Sequence, residues 1–172
     1  MKTEIFTNKI KLKIAEKSDS KRIFELRTNP EVAKFINRDL NKNLSEIETF
    51  IENINSDFNN AMFFKIITLE ENEIVGTICL WKINRDNKYA EIGYELFPEF
   101  QNKGLMSNAI KAILDFANDE LGLEYIEAYT HKENLNSQKL LNKFGFEKIN
   151  GKSDIKNPNN VIFGKSINKA CI

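Results

Sequence analysis

Apolar residues at Met106, Ala109, Ile110, Ile113, Leu114, Ala117 and Leu121 follow the i, i+3, i+4, i+7 series of a helix with one buried stripe. Asn108, Lys111, Asp115, Asn118 and Asp119 fill the opposite face. Gly122 supplies a C-terminal stop, and Leu123 to Thr130 reads as a strand leading into a second helix. Upstream, apolar runs predict strands at Ile10 to Ala15, Met62 to Leu69, Ile74 to Ile83 and Tyr89 to Phe97, with Glu70-Glu71-Asn72-Glu73 turning the second into the third. Ser18 and Asp19 are capping candidates for a helix running to about Thr28, and Pro30 to Ile36 reads as a short helix. Asn43-Leu44-Ser45-Glu46 has the form of a capping box ahead of Ile47, Phe50, Ile51 and Ile54. Phe146 to Asn150 and Val161 to Ile167 make a last strand pair around the polar segment Gly151 to Asn160, of which Lys152 to Asn160 is a candidate mobile lid. These elements predict an α/β (α+β) fold: a mixed, mostly antiparallel sheet of about six to seven strands with helices on both faces.

A chain of 172 residues suits one domain, spanning 1–172, with a full hydrophobic core. Lysine plus arginine equals aspartate plus glutamate at 25 each, so no global field draws the chain to nucleic acid or to a membrane surface. Met1 to Lys17 alternates charges with single apolar residues and lacks the continuous apolar region of a secretory signal, so a cytoplasmic location is expected. Cys79 and Cys171 form neither a metal spacing nor a disulfide framework. Cys79 reads as a small core residue; a nucleophilic role would need an adjacent base and a lowered pKa.

Candidate chemistry begins at Gln101-Asn102-Lys103-Gly104-Leu105-Met106-Ser107, between the strand ending at Phe97-Pro98 and the amphipathic helix. The first N–H groups of a helix lack intrahelical partners and lie at the positive end of its dipole, so such a junction can bind a diphosphate, with Gly104 permitting close approach. The alternative is that Gly104 only caps a core helix. Neither the three-glycine dinucleotide fingerprint nor Gly-x-x-x-x-Gly-Lys-Ser/Thr is present. A second cluster follows about thirty residues on: Glu133-Asn134-Leu135-Asn136-Ser137, then Leu141 and Lys143-Phe144-Gly145-Phe146.

Together with Pro98-Glu99-Phe100-Gln101-Asn102-Lys103-Gly104-Leu105, that cluster resembles the Gcn5-related N-acetyltransferases, and within them the ribosomal-protein N-terminal acetyltransferase branch. The resemblance is firm over 89–149 and looser over the first 88 residues. It implies acetyl-CoA as cosubstrate, CoA as product, and no metal. It also implies cofactor contacts from Leu96, Phe97, Gln101, Asn102, Lys103, Gly104, Leu105, Met106, Ser107, Asn134 and Ser137. The family loop, Gln/Arg-x-x-Gly-x-Gly/Ala, is matched at Gln101 and Gly104 but ends in Met106, which falls on the apolar stripe and can point inward while its N–H still faces phosphate. Many members carry a thiolate-protonating tyrosine where this chain has Leu141, so the resemblance leaves Ser137 as the hydroxyl near the sulfur. Oxyanion donors are implied near Leu96 and Phe97. Dimers among relatives make a homodimer an expectation.

Strand alternation places Tyr89, Glu91, Gly93, Glu95 and Phe97 on one face, opposite Ala90, Ile92, Tyr94 and Leu96. Glu91, at the acidic position before Ile-Gly-Tyr that recurs in the branch, is the candidate general base; the bland alternatives are that it solvates the strand or positions the acceptor. Glu95 reads as the bland case. His131 titrates near neutrality and is a second candidate base, although loop histidines are usually just solvated. Trp81 and Phe35 are candidates to line an acceptor pocket, against a core-packing alternative. The resemblance implies an amine acceptor, either a protein N-terminus or a small molecule. Supplying the neutral form of a lysine-like amine at pH 7 costs roughly 3 kcal/mol more than for an α-amine, which suits one carboxylate base to an α-amine somewhat better. An acetyltransferase is one reading; a CoA-binding sensor or interaction module of the same fold is the other.

Overall fold

Alternating burial along Ile10–Ile14 and continuous burial along Met62–Thr68 mark an outer and an inner strand of one sheet. The computed structural model describes residues 4–168. Its strands are β1 (Glu4–Phe6), β2 (Ile10–Ile14), β3 (Met62–Thr68), β4 (Ile74–Asn84), β5 (Tyr89–Leu96), β6 (Tyr125–His131), β7 (Glu147–Lys148) and β8 (Asn160–Ser166). Its α-helices are α1 (Ser20–Thr28), α2 (Pro30–Ala33), α3 (Leu44–Asn55), α4 (Leu105–Asp119) and α5 (Leu135–Lys143). The sheet runs β1-β2-β3-β4-β5-β6-β8-β7, antiparallel throughout except between β5 and β6. Eight strands replace the expected six to seven, because the three residues of β1 are too few to show a period yet pair with β2. Cys171 lies outside the described residues.

The parallel pair requires a crossover, and α4 provides it. The stripe read from the sequence packs on one face of the sheet, where Ala109, Ile110, Ile113 and Ala117 are fully buried with Phe64, Ile78, Leu80, Ala90 and Ile126. Gly122 ends the helix at φ +67, with the Leu123 N–H returned to the Ala117 carbonyl. The other face carries α1 and α3, whose Ile23, Ile47 and Ile51 pack on Ala15, Phe63 and Cys79. Asn43 and Glu46 form the capping box expected at the start of α3. Asp19 differs from expectation: its carboxylate accepts the Glu16 N–H and the Lys65 ammonium (2.6 Å), a 3-10 turn fills Lys17–Asp19, and α1 starts at Ser20. The short helix expected to reach Ile36 ends at Ala33. Among the described residues, no helix is long and apolar enough to cross a membrane.

Candidate active site

The parallel pairing of β5 with β6 runs only from Tyr89/Tyr125 to Ile92/Ala128. Beyond that point β5 stays with β4 as far as Leu96/Gly76, and β6 stays with β8 as far as His131/Asn160, so the sheet parts into a cleft. The Phe97 N–H donates to the Val75 carbonyl at 3.0 Å. Hydrogen-bonding directions alternate along a strand, so Glu95 and Phe97 turn toward β4 whereas Tyr94 and Leu96 turn toward the cleft. The Phe97 N–H is thus engaged within the sheet, and of the expected pair Leu96 and Phe97 it is Leu96 whose N–H faces the cleft. The Gln101 side-chain amide donates to the Leu96 carbonyl at 3.3 Å and closes the far end.

Gln101, Asn102, Lys103 and Gly104 are exposed where the chain enters α4. Gly104 is the N-cap residue at φ +77, and no side chain caps this end, which leaves the first N–H groups of the helix pointing outward. A Cβ at Gly104 would meet nothing within 4 Å, so the conformation and not crowding within the chain demands glycine here. Leu105 and Met106 are buried, as the apolar stripe predicts. The Lys143 ammonium reaches the Ser107 hydroxyl at 3.3 Å, joining the start of α4 to the end of α5.

Asn134 caps α5, its side-chain oxygen accepting the Ser137 N–H at 3.1 Å. Leu141 is buried. The Ser137 hydroxyl lies 3.0 Å from the hydroxyl of Tyr94, a residue that sequence reasoning assigned only to a strand face. Burial pushes the Tyr94 phenol up to about 12, and its hydrogen bond with Ser137 acts the other way. Tyr94, Ser137 and the loop before α4 thus share the α4–α5 side of the sheet.

Glu91 lies on the other side, in register with Trp81 of β4 and Glu127 of β6. Its carboxylate accepts the Lys82 ammonium at 2.7 Å and the Tyr89 hydroxyl at 3.1 Å. A bulge between Trp81 and Asn84, with Lys82 at φ +50, re-aims the Lys82 side chain; that ammonium, raised chiefly by its hydrogen bond to Glu91, is 66% exposed. Glu127 is buried; it shares the single Tyr89 hydroxyl proton with Glu91, at the shorter distance of 2.9 Å, and accepts the Tyr129 hydroxyl (3.1 Å) and both contacts of Lys152 (2.6 and 2.7 Å). Burial pushes the Glu127 carboxyl up, and the bonds from Lys152 and the tyrosines outweigh it, leaving the group below its ordinary value. Neither Glu127 nor Lys152 was singled out in the sequence. A lone carboxylate inside Tyr125–His131 was the available signal, since such a group must find donors.

The same face brings Phe35 onto His131, ring centroids 5.6 Å apart, and the His131 Nδ1 accepts the Glu133 N–H. Trp81 packs with Phe50 and Phe63 and runs alongside Gly93, where a Cβ would come within 3.2 Å of the indole nitrogen. Glu95 is not a solvated strand residue: it is buried in a fork with Arg38 (2.8 and 3.1 Å), and Arg27 approaches at 3.5 Å. Cys79 is buried with its thiol pushed up by burial and by Glu95, so it is a core group and no nucleophile. Two surface hollows of about 350 and 370 Å³ border the outer side of α4 and touch none of these residues except Lys143.

A sheet parted at one parallel pair, with a helix N-terminus on one side and a carboxylate on the other, can hold a thioester between a backbone donor and an incoming amine. The model for the acetyltransferase (GNAT) domain matches residues 9–147. The chain belongs to the GNAT acetyltransferases. It is 34% identical over 146 residues to the uncharacterized N-acetyltransferase p20 of Bacillus licheniformis, covering 84% of this chain and 82% of that one. It is 25% identical over 137 residues to the spermidine N(1)-acetyltransferase of Escherichia coli K12, covering 80% and 72%. The GNAT fold is shared with RimL, a ribosomal L7/L12 α-N-protein acetyltransferase solved with coenzyme A, at TM-score 0.83, 17% identity and coverage of 95% and 97%. This GNAT chain is an acetyltransferase; the sensor alternative gains nothing from these relatives.

Proposed function

We propose that this acetyltransferase uses acetyl-CoA and transfers acetyl to a primary amine by direct attack in a ternary complex. The observation that carries the reading is the parting of β5 from β6 after Ile92/Ala128, with the uncapped start of α4 on one side and Glu91 on the other. The outward N–H groups of Leu105, Met106 and Ser107, the exposed Gln101 to Gly104 and the Asn134-capped α5 suit the cofactor's phosphates and arm. Solved neighbours of the same fold bound to CoA or acetyl-CoA support that assignment.

In this reading the Tyr94 and Leu96 N–H groups face the carbonyl oxygen as charge develops there. Glu91 receives the amine's proton directly or through water, and Ser137 stands beside the departing sulfur. Lys82 gives way readily, because an exposed ammonium contributes little to its ion pair. The single domain belongs, on this proposal, to the ribosomal-protein branch, and its acceptor is a protein N-terminal α-amine or a small-molecule amine.

The test is thiol release from acetyl-CoA against N-terminal peptides, polyamines and amino-sugar amines, with CoA binding measured in parallel. Release with one acceptor class is expected, and Glu91→Gln lowers kcat by about 10²-fold with CoA affinity unchanged. Equal kcat in the variant would remove Glu91 from proton transfer.

A further inference from the structure

We propose that Tyr94 is a positioning residue that holds the Ser137 hydroxyl as a hydrogen-bond donor to the departing sulfur, replacing from β5 the phenol that α5 lacks at Leu141. The inference rests on the acetyl-transfer reading above and deepens it. Tyr94 comes from the segment of β5 that has left β6, and its hydroxyl meets Ser137 at 3.0 Å on the cofactor side of the sheet.

At 3.0 Å either hydroxyl can donate, and the proposed direction follows acidity: the more acidic phenol of Tyr94 donates and the Ser137 oxygen accepts. Ser137 is fixed from a second direction, since its N–H is held by Asn134. Its own O–H proton is then free to turn toward a third partner.

Two roles were possible for the phenol, and magnitudes choose between them. With Tyr94 at about 12, transferring its proton to an alkyl thiolate, whose thiol titrates near 8.5, is uphill by more than three pKa units. Tyr94 therefore stays neutral and donates without ionising. As the amine nitrogen bonds to the acetyl carbon and the carbon–sulfur bond breaks, the bond pair leaves on sulfur. The Ser137 O–H stabilises that charge, the amine's proton goes to Glu91, and the thiolate takes its proton afterwards from solvent.

The experiment begins with CoA alone, whose bound thiol is titrated by the ultraviolet absorbance of its thiolate in wild type, Tyr94→Phe, Ser137→Ala and the double variant. The expected result is a thiol pKa about one unit higher in each single variant than in wild type, with no further rise in the double variant. Tyr94→Phe keeps the ring, so unchanged CoA affinity reports an intact fold. In turnover, kcat falls about tenfold in Tyr94→Phe, and the deficit shrinks with an aryl thioester donor whose better leaving group needs no hydrogen bond. Equal thiol pKa values in wild type and Tyr94→Phe, or additive effects in the double variant, would overturn the inference and leave the transferase reading standing. Failure of wild type to bind CoA would overturn both.

Discussion

A carboxylate buried on a sheet face is costly unless cations meet it, and Glu95 meets two. Arg38 grips it with both terminal nitrogens and also donates to the Arg27 carbonyl, which ties the segment after α2 to the end of α1. Arg27 lies over the Phe50 ring with its Nε buried and without a partner, and burial, then the neighbouring Arg38, lower its pKa. The carboxylate is what makes two adjacent guanidiniums tolerable. Glu95→Gln leaves them facing each other, and the expected cost is about 3 kcal/mol by chemical denaturation. A loss under about 0.5 kcal/mol would mean that the arginines turn to solvent instead. Glu91 and Glu95 share a face in the period-two pattern and look alike in sequence. What separates them is which cations arrive from α1 and the loop after α2, over fifty residues away, and periodicity holds no such information.

At the scale of elements, segments with internal signals were legible and those defined by partners were not. The α4 stripe, the Asn43/Glu46 box and the central strands appear within a residue or two of their expected limits. The edge strand β1 and the 3-10 turn before α1 exist because of what they touch, and β7, expected over Phe146 to Asn150, pairs with β8 as expected but only over Glu147–Lys148. The segment 151–159 is a further case. It overlaps Lys152 to Asn160, the candidate lid of the sequence, and the structure pins that stretch by Lys152 to Glu127 and knits it internally through Asp154, Asn157 and Asn160. Glu127 lies below its ordinary pKa, so the unfolded chain binds that proton more readily. The pair's contribution is then complete above the ordinary carboxylate range and disappears as pH falls through the folded value. Lys152 is raised, chiefly by its hydrogen bond to Glu127, so its share survives up to the ordinary lysine range and is lost as pH rises through the raised value. Lys152 is 42% exposed, so screening limits the effect, and Lys152→Met is expected to cost about 1 kcal/mol near pH 7 and almost nothing in acid. Thermal unfolding of both proteins across that range is the check, and a pH-independent difference would assign the loss to packing.

Over the whole molecule, the sheet separates two packed layers that the proposed chemistry uses differently. Residues of α4 and α5 share the larger core with Ala90, Ile92 and Leu96, whereas α1 and α3 close a smaller one over Phe63 and Cys79. β5 carries side chains of the proposed site toward both layers, Tyr94 toward the first and Glu91 toward the second. If the cofactor occupies the first side alone, CoA should slow amide exchange in 101–107, at the start of α5 and along Tyr94–Leu96. Exchange in α1 to α3 should be unchanged, because those helices contact the acceptor side. An acceptor amine added afterwards should protect 151–159 and the loop before α3. Protection of both layers by CoA alone would show that the two cores are coupled through the parted strands, and the acceptor side would then be assembled by cofactor binding instead of standing ready for it.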